Sequence, residues 1–211
     1  MKIKILSWNV RWANDRVKRK VIKALIRLQR ADLVCLQETK IQDMSKGDCS
    51  ESWSGKILRL GCYGCKGGCW WGGSVLELVG MEVGLFSILC RFKNCEDGFL
   101  WTFTGVYGPI LKRYREFFWE ELGVIRGLWI DLWCIGGDFN VIRFPNERSR
   151  EGRMSRSMRR FLEVIDESTL RDLPLQGGPF TWSGGLNGQS KSRLDRFLVL
   201  ENWETYFNGV M

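Results

Sequence analysis

Apolar positions along this chain fall into helical and strand-like rhythms. Lys2 to Ser7 (KIKILS) predicts a strand that ends at Trp8-Asn9. Over residues 14–30, Val17, Val21, Leu25 and Leu28 recur at helical spacing with Lys and Arg between them. That pattern predicts an amphipathic helix, capped by Asn14 or Asp15, whose apolar face packs inward. Leu33–Leu36 is a second short apolar strand, followed by Gln37 and Glu38, so the order strand, helix, strand predicts an α/β unit. Residues 41–73 lose periodicity and gather Gly, Ser and Cys, which predicts loop. VLELV (75–79), LFSILCRF (85–92) and LWTFTGVYG (100–108) are rich in β-branched and aromatic residues, as strands are. A second amphipathic helix is expected over 113–129 through Phe117, Leu122, Ile125 and Leu128. A third starts near Ser155 and carries Met158, Phe161, Leu162 and Ile165. After the turn-rich QGGPFTWSGGLNGQ comes a last strand, SRLDRFLVL. No internal repeat or long linker divides the chain, so residues 1–211 are expected to form a single domain.

The stretch DLWCIGGDFNVI (131–142) carries the most specific chemistry. An apolar run reaches Gly136-Gly137 and then presents Asp138 and Asn140, two positions apart. In an extended backbone such residues share one face. They would sit just beyond the end of a buried strand, where α/β sheets present polar groups to ligands. Taken alone, DFN also reads as a simple polar turn.

Composition narrows the chemistry further. The 45% apolar and 27% charged content is that of a globular protein, and eleven Trp argue against disorder. There is no His, which excludes Ser-His-Asp and Cys-His catalysis, His-ligated zinc and an imidazole base within these residues. Acid-base work must fall to Asp, Glu, Tyr, Lys or Cys. The formal charge of +8 favours a polyanionic partner. The opening MKIKILSWNV is too short in apolar residues for a signal peptide, and no run approaches the roughly 20 residues of a membrane span. An intracellular location, nuclear or cytoplasmic, is therefore expected, with the cysteines as thiols. Cys62, Cys65 and Cys69 lie close together, with Cys49 upstream; this is either a zinc site or a Gly-rich loop that holds thiols.

Several expected strands end on a polar residue: Asn9, Glu38, Tyr107, and the Asp138-Asn140 pair. SWNV (7–10), LQETK (36–40), GVYGP (105–109), GGDFNVI (136–142) and SRLDRFL (192–198), in this order, resemble the endonuclease/exonuclease/phosphatase superfamily. Residues 148–185 add to the likeness, which is nearest to the AP-endonuclease-like endonuclease domain of LINE-type (non-LTR) retrotransposons. The resemblance implies a four-layered α/β sandwich, two mixed sheets flanked by helices, and Mg²⁺-dependent hydrolysis of a phosphodiester. It implies Glu38 as the principal Mg²⁺ ligand, with Asn9 supporting the metal and phosphate site. Tyr107 would hydrogen-bond phosphoryl oxygens, Asp138 would orient or deprotonate the attacking water, and Asn140 would hold the scissile phosphate. Asp195 would orient a catalytic His.

That His belongs to a final family strand, and these residues contain none. A C-terminally truncated domain with its last strand missing, and impaired in catalysis, is therefore expected; a catalytically inactive DNA-binding remnant and a phosphatase of the same superfamily are the alternatives. Residues 143–160 hold seven Arg against two Glu. Arg143, Arg148, Arg150, Arg153 and Arg156 are thus candidates for tracking a DNA backbone beside the Asp138-Asn140 pair, against a plain solvated loop.

Overall fold

Two mixed sheets with helices on their outer faces make up the computed structural model, which describes residues 2–10, 16–37, 56–62, 65–71, 74–150, 152–184 and 189–207. The smaller sheet has the order β1-β2-β4-β3: β1 (Ile5–Asn9) runs parallel to β2 (Leu33–Gln37), and β4 (Cys65–Trp71) pairs antiparallel with β2 and with β3 (Lys56–Cys62). The larger has the order β5-β6-β7-β8-β12-β9, from β5 (Leu76–Val83), β6 (Ser87–Asn94), β7 (Leu100–Tyr107), β8 (Leu132–Asp138), β12 (Asp195–Leu200) and β9 (Leu170–Asp172). A small hairpin of β10 (Trp182–Gly184) and β11 (Ser190–Ser192) stands beside the start of β12. The architecture is the four-layered α/β sandwich. Among the described residues β1 is paired on one side only.

Strand alternation sorts the core. In β2, Leu33 and Cys35 face the larger sheet, while Val34 and Leu36 turn outward with Leu6 and Trp8 of β1. Helix α1 (Arg16–Gln29) covers this outward face with Ile22 and Ile26. Val17, Val21, Leu25 and Leu28, the expected inner face, are instead 37–76% exposed. The helix carries two apolar stripes, and the one with Ile22 and Ile26 packs against Val34 and Leu36. Helix α2 (Arg115–Leu128) likewise buries Phe118, Trp119, Leu122 and Ile125, leaving Phe117 and Leu128 exposed. Helix α3 (Arg156–Glu167), capped by the Ser155 hydroxyl, buries Met158, Phe161, Val164 and Ile165; a short helix α4 (Trp203–Tyr206) closes the described chain.

The loop expected over 41–73 is corrected in its second half, where β3 and β4 complete the smaller sheet. Glycine and cysteine hid the alternation: Cys69 and Trp71, two apart, are both buried. Cys69 lies opposite Cys35 in register, and contact with Cys35 and Cys90, together with burial, pushes its thiol pKa up. It is core rather than surface knuckle. Among the described residues no Cys, Asp or Glu group is arranged to hold a metal; Cys49 lies outside them. No described helix is long and apolar enough to cross a membrane.

Candidate active site

Asp138 closes β8 at the point where both sheets meet. It is 4% exposed, in register with Tyr107 on the parallel neighbour β7 and with Asp195 on the antiparallel neighbour β12. From the other sheet, Asn9 at the end of β1 donates its Nδ2 hydrogen to Asp138 Oδ2 at 3.2 Å. The backbone N–H of Asn140 donates to Oδ1 at 2.8 Å. One carboxylate thus ties the two sheets and the following turn together.

The Gly136-Gly137 pair has a steric cause. A Cβ on Gly136 would stand 2.5 Å from the Phe197 ring. One on Gly137 (φ +149°) would land on the Val106 carbonyl and 2.5 Å from Gln37 Nε2. Gln37, almost wholly buried, uses that nitrogen to donate to the Ser7 hydroxyl at 3.2 Å and to the Val106 carbonyl at 3.0 Å, joining the sheets beneath the site. Gln37 is in register with Asn9. Glu38, the next residue, lies outside the described residues.

Asn140 departs from the extended geometry expected of it. Its φ is 51°, in the left-handed region, and its Nδ2 donates to the Gly108 carbonyl at 2.8 Å. Asp138 and Asn140 are brought together by a turn closed on the Asp138 carboxylate, not by strand alternation. Asn has a short polar side chain that tolerates this conformation, so the residue type suited the turn as well as the chemistry.

A cleft of about 430 Å³ opens beside Asp138. Its polar lining comes from Ser7, Asn9, Asp138, Asp195, Thr181, Ser183, Arg193 and Arg196, and its apolar lining includes Leu173, Pro174, Leu175 and Trp182. Neither Tyr107 nor Asn140 is on this lining. The Thr181 hydroxyl accepts from the backbone N–H groups of Leu194 and Asp195, both at 2.9 Å, which fixes where β12 begins.

Arg193 and Arg196 on the cleft lining belong to an ion cluster that sequence patterning missed. Arg196, with a wholly buried side chain, donates to Asp172 at 2.6 Å and to Glu147 at 2.9 Å. Arg193 and Arg143 add bonds to Asp172 at 2.8 and 2.9 Å. Burial pushes the Glu147 carboxyl up, but the Arg196 guanidinium and the N–H groups of Arg143 and Phe144 outweigh it and hold it below its ordinary value. Arg143 therefore spends its charge inside the protein. Arg148 is half-buried and bridges to Ser192, while Arg150, Arg153 and Arg156 are exposed along the approach to α3. The alternation RLDRF was a legible signal for Arg196, since every other residue of that strand points the same way; its partners, 24 and 49 positions away, were not.

Similar solved structures share this architecture. The endonuclease domain of TRAS1, a telomere-specific non-LTR retrotransposon, superposes with a TM-score of 0.75 at 13% identity, over 98% of this chain and 89% of that one. The 3′ phosphatase NExo from Neisseria, bound to a product DNA hairpin, gives 0.73 at 18% identity, over 96% and 88%. An AP endonuclease from Archaeoglobus fulgidus gives 0.70 at 17% identity, over 93% and 86%. At these identities the likeness is one of fold. No curated protein matches the sequence significantly. The endonuclease/exonuclease/phosphatase family model matches residues 6–210, almost the whole chain, and the chain belongs to that family.

Proposed function

We propose that the chain is a Mg²⁺-dependent phosphodiester hydrolase of retroelement origin, acting on DNA with slow turnover. The observation that carries this reading is the convergence of Asn9 from one sheet with Asp138 and Asp195 of the other on a single cleft. The cleft is lined by Arg193 and Arg196, whose charges are met by Asp172 and Glu147, and by the oxygen donors of two carboxylates, a carboxamide and hydroxyls, with no thiol or imidazole among the described lining residues. Such oxygen donors fit Mg²⁺, which takes one or two carboxylates and keeps several waters. Asn9 and Glu38 would hold the ion, and bound there it would neutralise charge on a phosphoryl oxygen.

Asp138 takes the proton of the attacking water as its oxygen bonds to phosphorus. The phosphorus–oxygen bond to the leaving group breaks, and the departing oxygen takes a proton from solvent or from Tyr107. The Asn140 carboxamide steadies a phosphoryl oxygen. Lacking an imidazole, this arrangement forgoes a general acid-base contribution of about 10²–10⁴ in rate, which is the basis for expecting slow turnover. The exposed Arg150, Arg153 and Arg156 favour a polymeric phosphate over a small one.

The test is nicking of supercoiled plasmid with Mg²⁺ by the parent and by Asp138→Ala. Nicking lost in the variant supports the reading. Equal traces from both favour the second reading, an inactive DNA-binding protein, which the absence of histidine motivates. Preferential cleavage of small phosphoesters would instead make the chain a phosphatase.

A further inference from the structure

We propose that Arg115 is a positioning residue for this active site, acting through Asn140; the proposal rests on the phosphodiesterase reading. Asn140 holds a left-handed backbone at φ 51°, a conformation asparagine tolerates but does not adopt by default, so its neighbours help to keep it there. Its backbone N–H, its carbonyl and its carboxamide nitrogen are each engaged. The N–H binds Asp138 Oδ1, the carboxamide Nδ2 binds the Gly108 carbonyl, and the carbonyl accepts from Arg115 Nη2 at 2.9 Å.

Arg115 is the first residue of α2, and such a residue can leave its guanidinium in water at no cost. Here it is half-buried, with Nε wholly enclosed and without a hydrogen-bond partner. Among the described residues no carboxylate lies within ion-pair distance of it. Desolvation pulls its pKa below the usual arginine value, so the charge is held at an energetic disadvantage. What the guanidinium gains for that cost, among the described residues, is the hydrogen bond to the Asn140 carbonyl. One turn along the same helix face, Phe118 packs on Phe139 with ring centroids 6.0 Å apart. Helix α2 therefore braces two successive residues of the turn, one by packing and one by charge.

The consequence runs through geometry. If Arg115 lets go, Asn140 relaxes toward ordinary φ values, its carboxamide leaves the Gly108 carbonyl, and Asp138 loses the N–H on Oδ1. Both groups assigned to water and phosphate shift together, and misplacement by about 1 Å costs on the order of 10² in rate.

The experiment compares the full chain with Arg115→Met and Arg115→Lys, reading amide hydrogen exchange residue by residue and plasmid nicking at saturating and limiting DNA. Arg115→Met is expected to speed exchange at the Asn140 amide by about ten- to hundredfold, the worth of a charged hydrogen bond, with β6 and β7 unchanged. It is expected to lower kcat about a hundredfold with KM little altered, and Arg115→Lys to restore part of both. Unchanged exchange at Asn140, or exchange that quickens equally throughout the larger sheet, overturns the proposal and leaves Arg115 an ordinary helix anchor. If the parent does not nick DNA, the phosphodiesterase reading fails on its own, and the exchange comparison alone decides whether Arg115 holds Asn140.

Discussion

Replacing Asp172 with Asn removes one charge from the ion cluster at the cleft and leaves the side-chain shape nearly intact. The Asp172 side chain is 3% exposed and binds Arg196, Arg143 and Arg193 at 2.6, 2.9 and 2.8 Å. In the parent, three guanidinium groups face two carboxylates. In the variant they face Glu147 alone, and Arg196 has no access to water that would screen it. Breaking a buried pair by removing one partner costs about 3–5 kcal/mol, because the remaining charge is stranded. For a chain of this size each kcal/mol moves the melting temperature about 2–4 °C, so a fall of about 6–20 °C is expected. The measurement is urea unfolding with the slope checked, so that a change in midpoint reports stability and not a change in the denatured state. A surface control separates burial from charge. Glu167 meets Arg160 at 3.2 Å but is 65% exposed, and Glu167→Gln should cost less than about 0.5 kcal/mol. A loss below about 1 kcal/mol in Asp172→Asn would mean the cluster is screened like a surface pair, and the reasoning from burial would be wrong.

Glu147 gives the same cluster a pH signature. Its folded pKa is depressed, so the unfolded chain binds more protons as pH falls. Its contribution is present above the unfolded value near 4.3 and is lost as pH drops through the folded value; the urea midpoint should decline there, and Glu147→Gln should flatten that decline. On α1, Ile26→Ala should cost about 2–5 kcal/mol, whereas Leu28→Ala, at a 76% exposed position, should stay within about 0.5 kcal/mol; equal losses in thermal unfolding would reverse the assigned faces. Gly137→Ala should cost more than about 2 kcal/mol, read by denaturation, because its Cβ meets backbone that cannot yield; a neutral outcome would show that β7 and β8 separate easily.

What the sequence made legible, and what it did not, follows the range of the interactions involved. The apolar run before Asp138 was readable because strand burial is a local property, and β7, β8 and β12 stand where their composition placed them. The faces of α1 were not readable. Val17, Val21, Leu25 and Leu28 satisfy helical spacing as well as Ile22 and Ile26 do, and only the outward residues of β2 decide between them. The β3–β4 pair was missed because Gly67 and Gly68 carry no side chain to show alternation, though they still hydrogen-bond across the register.

At the site, residue type was legible and geometry was not. Asp138 and Asn140 do belong together, but a positive φ and a bond to the Asp138 carboxylate join them, not extended spacing. That difference matters for function. A strand would hold both side chains by its ladder alone, whereas a left-handed turn must be held by its neighbours. Those neighbours are Gly108 on the exit of β7, Phe118 and Arg115 on α2, and Leu194 at the entrance to β12, whose carbonyl accepts from Phe139 at 3.0 Å. None is adjacent to the turn in sequence, so no local pattern could announce them. The turn at 138–140 is thus the place where the larger sheet, its covering helix and the last described strand are coupled. Substitutions that disturb that coupling should change turnover before they change stability.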